Sequence, residues 1–583
     1  MTWVPANYDS NCTQNSKTLS LLCFLVQYFG ESHDSMLTKI NNDHCTNEVD
    51  YDFIIVGAGS AGCVVANRLS EEFHWKILLL EAGDEEPLVA EVPRLYPILW
   101  NSNIDYAYRT NDTKAEIYSR GKVMGGSSTI NGMVYARGNK VDYDDWARMG
   151  NDGWSWDDVL PYFIKSEDAR DPQILANYSR YHGTGGYLTV EELPEEDKNT
   201  PILLRAFNEI SLNETDYNKG DQRGVARMQF TNVHGTRLSS NGAFVRPIRG
   251  QRPNLVVRPN ARVTRIMIDL ESKCATGIEY EIGMKNKIVT KQAFAKKEVV
   301  VSAGFIESPR LLMLSGIGPK KDLQQLNITV VKDLPVGRNL RDHFMVPMTL
   351  LSSNSEVPMS DEMVKSNLFK WLNTHEGPMS ARGSINIKAF YQSEFEKRPG
   401  AVDIHYGLSG GTIDQSLGNI TIFTTLVAPR SSGFIKLNSL DPLRVQPDIR
   451  LNSLSDPQDI EVLVEGLKFA RKLANTTTLR NAGLELPKAP TAGCENFDTR
   501  SDDYIRCFIK NNVRSHSHGA GTCKMGLASD ASAVVSPQLK VHGIRRLRVI
   551  DASIMPQVVA GNTNAPTIMI GEKGSDMIKK DWL

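Results

Sequence analysis

The first strong hydropathy pattern is an apolar run of strand type, Phe53-Ile54-Ile55-Val56. It passes through Gly57-Ala58-Gly59-Ser60-Ala61-Gly62 into a stretch that places Val64, Val65 and Leu69 on one helical face. A second buried strand, Lys76 to Leu80, ends on Glu81. The pattern predicts one strand–helix–strand unit with a G-x-G-x-x-G turn and an acid about twenty residues on.

Each position has a physical reason. Gly57 permits the tight turn, Gly59 removes a side chain that would hold the backbone away from a pyrophosphate, and Gly62 lets helix and strand approach closely. The helix N-terminus offers unpaired N–H groups and a positive dipole end to phosphates. Glu81 can accept hydrogen bonds from a ribose diol and argues against a ribose 2′-phosphate. NAD, NADP and FAD all remain open on this stretch alone.

Further strand-like runs are Arg262–Ile268, Ala275–Tyr280 and Glu298–Ser302. Ala303-Gly304 then precedes a helical stretch, Pro309–Leu314. This second strand, small-residue turn and helix is either another phosphate-friendly end or an ordinary connection of the same sheet. Residues 320–510 read differently. Alternation in Ile420–Val427 and Gly433–Leu437 predicts an antiparallel sheet, and a helix is expected from Asp456 to Leu473, capped by Asp456 with Pro457 at its first position. At the end of the chain, Arg546–Asp551 is a strand closing on an acid and Pro566–Ile578 a helix with an apolar face.

Two stretches between these elements have local signatures. Gly125-Gly126 followed by hydroxyls allows backbone amides to approach an anion or flat ring, with Asn131 as a polar partner, although a serine-capped turn has the same residues. Trp154-Ser155-Trp156-Asp157-Asp158 resembles a helix cap, and Tyr143, Trp146, Trp154 and Trp156 are assigned to packing.

With 583 residues the chain exceeds one core, so two closely connected domains are expected. Apolar content of 41% and charged content of 23% belong to a soluble globular protein, and a net charge of −2 gives no reason to invoke nucleic acid or an anionic membrane. The apolar run Leu19–Phe29, after a polar lead with Lys17, is too short to span a bilayer. It suits either a signal-peptide core or a buried helix wrapping the domain. Sequons at Asn11, Asn111, Asn177, Asn213, Asn327, Asn419 and Asn475 would suit a secreted glycoprotein. Cys63 and Cys274 read as buried hydrophobes, whereas Cys494 and Cys507 flank a polar loop as a candidate disulfide.

Arg514-Ser-His-Ser-His-Gly-Ala-Gly-Thr-Cys-Lys-Met-Gly526 carries the most concentrated chemistry. An extended backbone would put His516 and His518 on one face, a spacing able to hold a metal, but no third ligand lies nearby and no metal is expected.

The opening unit, RGKVMGGSSTINGMVYARGN, VSAGFIESPRLLMLSGIG, VGRNLRDH, HGAGTCKMG and RVIDASIMPQVVAGNTNAPTIMIGEKGSDMI together resemble the glucose–methanol–choline (GMC) flavoprotein oxidoreductases. These six motifs run in family order from about Tyr51 to Lys579, and their wording is nearest to insect members, including the Cys494/Cys507 pair. The resemblance implies an α/β with α+β fold: a discontinuous Rossmann-like FAD-binding domain plus a substrate-binding domain built on an antiparallel sheet with helices. The expected division is an N-terminal extension at 1–50, an FAD-binding domain at 51–160 with 225–325 and 515–583, and a substrate-binding domain at 161–224 with 326–514.

It further implies noncovalent FAD, because Ile130 stands where members with a histidyl flavin have histidine. Gly57, Gly59, Ser60, Ala61 and Gly62 would hold the diphosphate, and Glu81 with Ala82 the adenosine ribose. Val263 would lie near the adenine, while Val123, Gly125, Gly126, Ser127 and Asn131 would follow the isoalloxazine or its chain. Asp551 and Ala552, with Asn562 and Thr563, complete the set. His518 matches the catalytic histidine, and Asn564 is taken as the second catalytic position. Arg341 stands where glutamine is more usual.

The reaction implied is oxidation of an alcohol to an aldehyde, lactone or ketone, with hydride passing to flavin N5 and a quinone or O₂ reoxidising the flavin. A sugar enzyme of glucose dehydrogenase type competes with an ecdysone oxidase or other hydrophobic-alcohol oxidase. A catalytically silent flavin-binding paralogue and an NAD-dependent dehydrogenase are the readings of other classes. No membrane span is expected.

Overall fold

The computed structural model describes residues 2–6, 21–31, 50–112, 114–194, 199–284, 287–353, 359–383, 385–410 and 418–583. Asn11, Lys17 and the start of the apolar run at Leu19 lie outside these residues, as does most of the expected 1–50 extension.

Among the described residues, seven strands form the sheet that carries the glycine motif. Its order is Leu255–Arg258, Ile77–Leu80, Asp50–Val56, Lys287–Val301, Cys274–Met284 and Ala261–Asp269, with Leu547–Val549 also on Lys287–Val301. Phe53 pairs with Ile77 on one side and Glu298 on the other, both in parallel, which buries the strand on both faces and explains its unbroken apolar run. The cofactor unit is thus closed by the far end of the chain, since Val299 also pairs with Leu547.

One face of this sheet is covered by the helices Ser60–Leu69 and Asn564–Trp582. They approach so closely that a Cβ on Gly571 would meet Ala61 O and Val64 Cβ at 3.0 Å. A buried two-pronged ion pair crosses between them, Arg68 Nε and Nη2 each 2.8 Å from a Glu572 oxygen. Each partner has a further, more exposed ion-pair neighbour, Glu71 at 3.1 Å from Arg68 and Lys165 at 3.5 Å from Glu572.

The second sheet is antiparallel, ordered Leu484–Glu485, Phe344–Ser352, Ile420–Leu426, Ile404–Gly410, Ile387–Tyr391 and Gly224–Arg227, with Arg514–Ser515 also on Phe344–Ser352. The alternation read in Ile420–Val427 is realised here. Phe434–Lys436 instead pairs with Asp448–Arg450 as a separate ribbon, because Gly433 is tied to Leu340 and leads that strand away. Gly224–Arg227 pairs with Ile387–Tyr391, so this sheet extends past the boundary expected at 224/225. The helix Pro457–Ala474 packs on it, with Asp456 accepting from Gln458 N as its cap.

The apolar run near the N-terminus is a helix, Leu21–Phe29, with Phe24, Leu25 and Phe29 buried against Trp3, Leu95, Leu99, Leu368 and Trp371. Ser155 does cap the helix Trp156–Ser166, and the four aromatic residues assigned to packing are buried. Cys494 and Cys507 form a disulfide, Cys23 is disulfide-bonded as well, and Cys63 and Cys274 are buried thiols. No helix of the described residues is long and apolar enough to cross a membrane.

Candidate active site

A cavity of about 1030 Å³ lies between the two sheets, walled by Gly57, Gly59, Ser60 and Ala61 at one end and by His516, His518 and Asn562 elsewhere. Its glycine end follows from the first motif. A Cβ on Gly57 would sit 2.5 Å from Ser302 O, and one on Gly62 only 1.9 Å from Gly57 O, so these two glycines are required by close backbone packing. Gly59 is different: an added Cβ would meet nothing nearer than Gly126 Cα at 4.0 Å. It faces open cavity at the N-terminus of a helix whose cap residue provides no side-chain hydrogen bond. That is the cradle a diphosphate requires.

Most of the predicted cofactor residues meet on this wall. Glu81, Ala82, Gly126, Ser127, Asn131, Val263, Asp551, Ala552, Asn562 and Thr563 all line the cavity. Gly62, Val123 and Gly125 do not; they stand one layer back. Gly125 N donates to Ala58 O at 2.8 Å, which locks the second glycine turn against the first. Glu81 is buried, and its two oxygens accept from Ala58 N (3.0 Å) and Gly83 N (2.8 Å). Burial pushes its carboxyl up to about 7, against the lowering effect of those backbone donors. The second strand–turn–helix arrangement also reaches the cavity, at Ser302, Ala303 and Gly304, and there Gly304 N, at the start of the helix Gly304–Leu314, donates to Asp551 Oδ2 at 2.9 Å. Asp551 is thereby held by protein donors, Ser308 Oγ and Ser553 N among them.

The histidine pair is shaped by Ser517, whose φ of +60° bends the segment out of the extended form the sequence suggested. The His516 and His518 rings lie 4.4 Å apart. Asp342 fixes the bend from below. Its Oδ1 accepts from the backbone N–H of both His518 and His343 at 2.8 Å, and its Oδ2 takes Tyr118 Oη (2.8 Å) and Ser515 Oγ.

His518 then has a partner at each ring nitrogen. Nδ1 is 3.0 Å from His343 Nδ1, and Nε2 is 3.0 Å from Asn562 Nδ2. Burial first, then the crowding of His516, His343, Lys388 and His405 around it, drives its pKa well below the usual imidazole range. A neutral ring with one unprotonated nitrogen follows, which suits a proton acceptor. His343 is pushed down to about 3 by burial and then by Lys388. Among the described residues, no group of three or more His, Cys, Asp or Glu side chains could hold a metal ion.

Asn564, taken from the sequence as the second catalytic position, is not placed beside His518. Its Oδ1 accepts from Ser60 Oγ at 2.7 Å, at the glycine-turn end. The residue at His518 is Asn562, two positions earlier. Helix geometry separates them: Asn564 begins the helix Asn564–Trp582 and turns toward Ser60, while Asn562 lies on the loop before it. Sequence reasoning also missed Asp342, His343 and Lys388. The first two stood inside the quoted VGRNLRDH motif, and the signal for Lys388 was a cation inside the apolar run Ile385–Tyr391.

Family models for GMC oxidoreductases match residues 51–345 and 429–571. The chain is 40% identical to the FAD- and quinone-designated glucose dehydrogenase of Drosophila melanogaster over 560 residues, covering 92% of this chain and 88% of that one. It is 33% identical to the ecdysone oxidase of Spodoptera littoralis, covering 92% and 93% of the two chains. The crystal structure of a formate oxidase superposes with a TM-score of 0.81 at 26% identity, over 92% of this chain and 99% of that one. The glycine cradle, the histidine–asparagine pair and these likenesses agree, and the chain belongs to the GMC oxidoreductases, FAD-dependent enzymes acting on CH–OH groups.

Proposed function

We propose that this protein oxidises a polyhydroxylated alcohol of sugar type, using noncovalently held FAD, His518 as the base and Asn562 as its partner. The observation that carries the reading is the pair of polar atoms His518 Nε2 and Asn562 Nδ2, 3.0 Å apart on the cavity wall. An alcohol oxygen drawn against both, in place of their mutual contact, meets an N–H donor and a lone pair together. Nε2 takes the hydroxyl proton while the Asn562 amide stabilises the alkoxide that develops. The Gly57–Gly62 turn, Glu81 and the Gly126–Asn131 segment would hold FAD, which when bound would supply the acceptor for the carbon-bound hydrogen. Ile130 lines the cavity and offers no nitrogen for a covalent flavin bond, which supports noncovalent attachment.

A sugar-like substrate is favoured by the wall beside His518. His516 Nδ1 and Arg382 Nε are buried there without hydrogen-bond partners in the protein, and a substrate with several hydroxyls would satisfy them. The 40% identity to an insect glucose dehydrogenase points the same way, with a quinone as electron acceptor. An extracellular setting is supported by the Cys494–Cys507 disulfide and by sequon asparagines Asn111, Asn177, Asn213, Asn327, Asn419 and Asn475, all exposed.

The test is an anaerobic panel of glucose, ecdysone and aromatic alcohols, followed by flavin bleaching and repeated aerobically with and without quinone. Bleaching by glucose with turnover only on quinone is expected. Bleaching by ecdysone alone would overturn the sugar assignment, and no bleaching by any alcohol would overturn the reaction. For His518→Ala, reduction should slow by about 10²–10⁴-fold with flavin still bound.

A further inference from the structure

We propose that Lys388 is a positioning residue: by binding the Asn562 amide oxygen it turns the amide N–H toward His518 and fixes which nitrogen of that histidine carries the proton. This rests on the assignment of His518 and Asn562 as the reacting pair.

Lys388 lies in the strand Ile387–Tyr391 of the second sheet and is 3% exposed. Lysine is rarely so deeply buried without a counter-ion. Among the described residues its ammonium meets no carboxylate, and its hydrogen bond goes to Asn562 Oδ1 at 2.5 Å. An ammonium has only hydrogens to offer, so the amide atom it meets is the oxygen. The amide nitrogen is thereby aimed at His518 Nε2, 3.0 Å away, and that nitrogen must accept. The ring proton then sits on Nδ1, where His343 Nδ1 is the acceptor at 3.0 Å. One cation thus orders three side chains and keeps Nε2 unprotonated, its lone pair accepting from the Asn562 amide until a substrate hydroxyl takes that place. Without it the amide can rotate, present its oxygen to Nε2 and stabilise the tautomer that cannot act as a base.

The burial of this cation supports the same view. Desolvation and then Arg382 push Lys388 down to about 7, so the fold carries it at a cost in stability. Its charge also bears on His518 and helps to hold that ring neutral.

Lys388→Met keeps the length and removes the donor. It should lower kcat by about a hundredfold with KM little changed, while the melting temperature holds or rises. The acid limb of kcat/KM should move to higher pH, because a cation near His518 is gone. In ¹⁵N-histidine NMR, His518 Nε2 should read as unprotonated in the wild type and lose that signature in the variant. Lys388→Arg, also donor-only, should recover part of kcat. Wild-type kcat in Lys388→Met would overturn the proposal, as would a kcat loss accompanied by a lowered melting temperature and an unmoved acid limb. If His518→Ala retained full activity, the reading beneath it would fail instead.

Discussion

His343 and His518 face one another through their Nδ1 atoms, 3.0 Å apart, with ring planes at 88°. Two imidazole nitrogens at that distance share one proton, so one ring must donate and the other accept. His343 is therefore a necessary acceptor if His518 is to keep its own proton on Nδ1. In His343→Leu that N–H is left buried and unpaired, at about 1–3 kcal/mol, and the tautomer is released. Flavin reduction by substrate should slow about ten- to hundredfold in anaerobic stopped flow, with flavin content unchanged. Wild-type reduction rates would show that the pair does not govern the base.

Four imidazoles, the buried His343, His405 and His518 and the half-buried His516, are all depressed from 6.5, with desolvation as the leading cause. In the unfolded chain they titrate near their ordinary value. Below about pH 6.5 these rings bind protons in the unfolded state that the folded state refuses, so their contribution to stability falls as pH drops through that window and is level above it. The melting temperature should therefore decline progressively below pH 6.5. His405 has neither ring nitrogen hydrogen-bonded, so His405→Phe should make the decline shallower. A melting temperature flat from neutral pH to pH 4.5 would contradict the buried neutral state.

The two asparagines before the last helix should separate by phenotype. Asn562 faces His518, whereas Asn564 accepts from Ser60 at the diphosphate turn. Removing the amide in Asn562→Ala should lower kcat by about 10²–10³-fold and leave the protein yellow. Asn564→Ala should instead weaken flavin retention while kcat of the loaded fraction changes little. The reverse pattern would restore Asn564 to the catalytic place.

That pair also shows how far the sequence could be read. The opening strand, turn and second strand were legible because the buried parallel strand, the three glycines and Glu81 each answer a local requirement. The helix from Asp456 and the disulfide of Cys494 with Cys507 were legible for the same reason. His518 was found through its motif, but its surroundings were not. Asp342 with His343, Lys388 and Asn562 come from three separate segments, and only the meeting of the two sheets brings them together. A two-residue slip at the last helix was enough to exchange Asn562 for Asn564, since nothing local says where the loop stops and the helix turns the side chain away. Burial hid Lys388, whose strand reads as ordinary apolar core.

Glu81 gives a prediction about cofactor affinity. Its carboxyl is held up to about 7 by burial while two backbone N–H groups favour the ionised form. A ribose diol adds donors, so binding selects the carboxylate and releases a proton. The affinity of apoprotein for FAD should accordingly rise as pH increases through about 7, with proton release detectable by calorimetry in buffers of different ionisation enthalpy. Glu81→Gln should bind more weakly and lose the pH dependence. An unchanged pH dependence in that variant would remove Glu81 from the linkage.

Gly59 is the strictest test of the cradle. Its φ of −84° is open to any residue, and a Cβ there would find no protein atom closer than 4.0 Å. Gly59→Ala should therefore fold and melt as the wild type does, unlike Gly57→Ala, where φ is +98° and Ser302 O is 2.5 Å from the new carbon. The added methyl would instead stand in the space between the helix N-terminus and the opposing Gly126 turn. If a diphosphate lies there, FAD affinity should fall by at least about tenfold, roughly the effect of 1.4 kcal/mol, in a protein whose apo stability is unaltered. Titration of apoprotein with FAD, read by flavin fluorescence, measures this directly. Unaltered affinity would mean that the cofactor's phosphates do not use this turn.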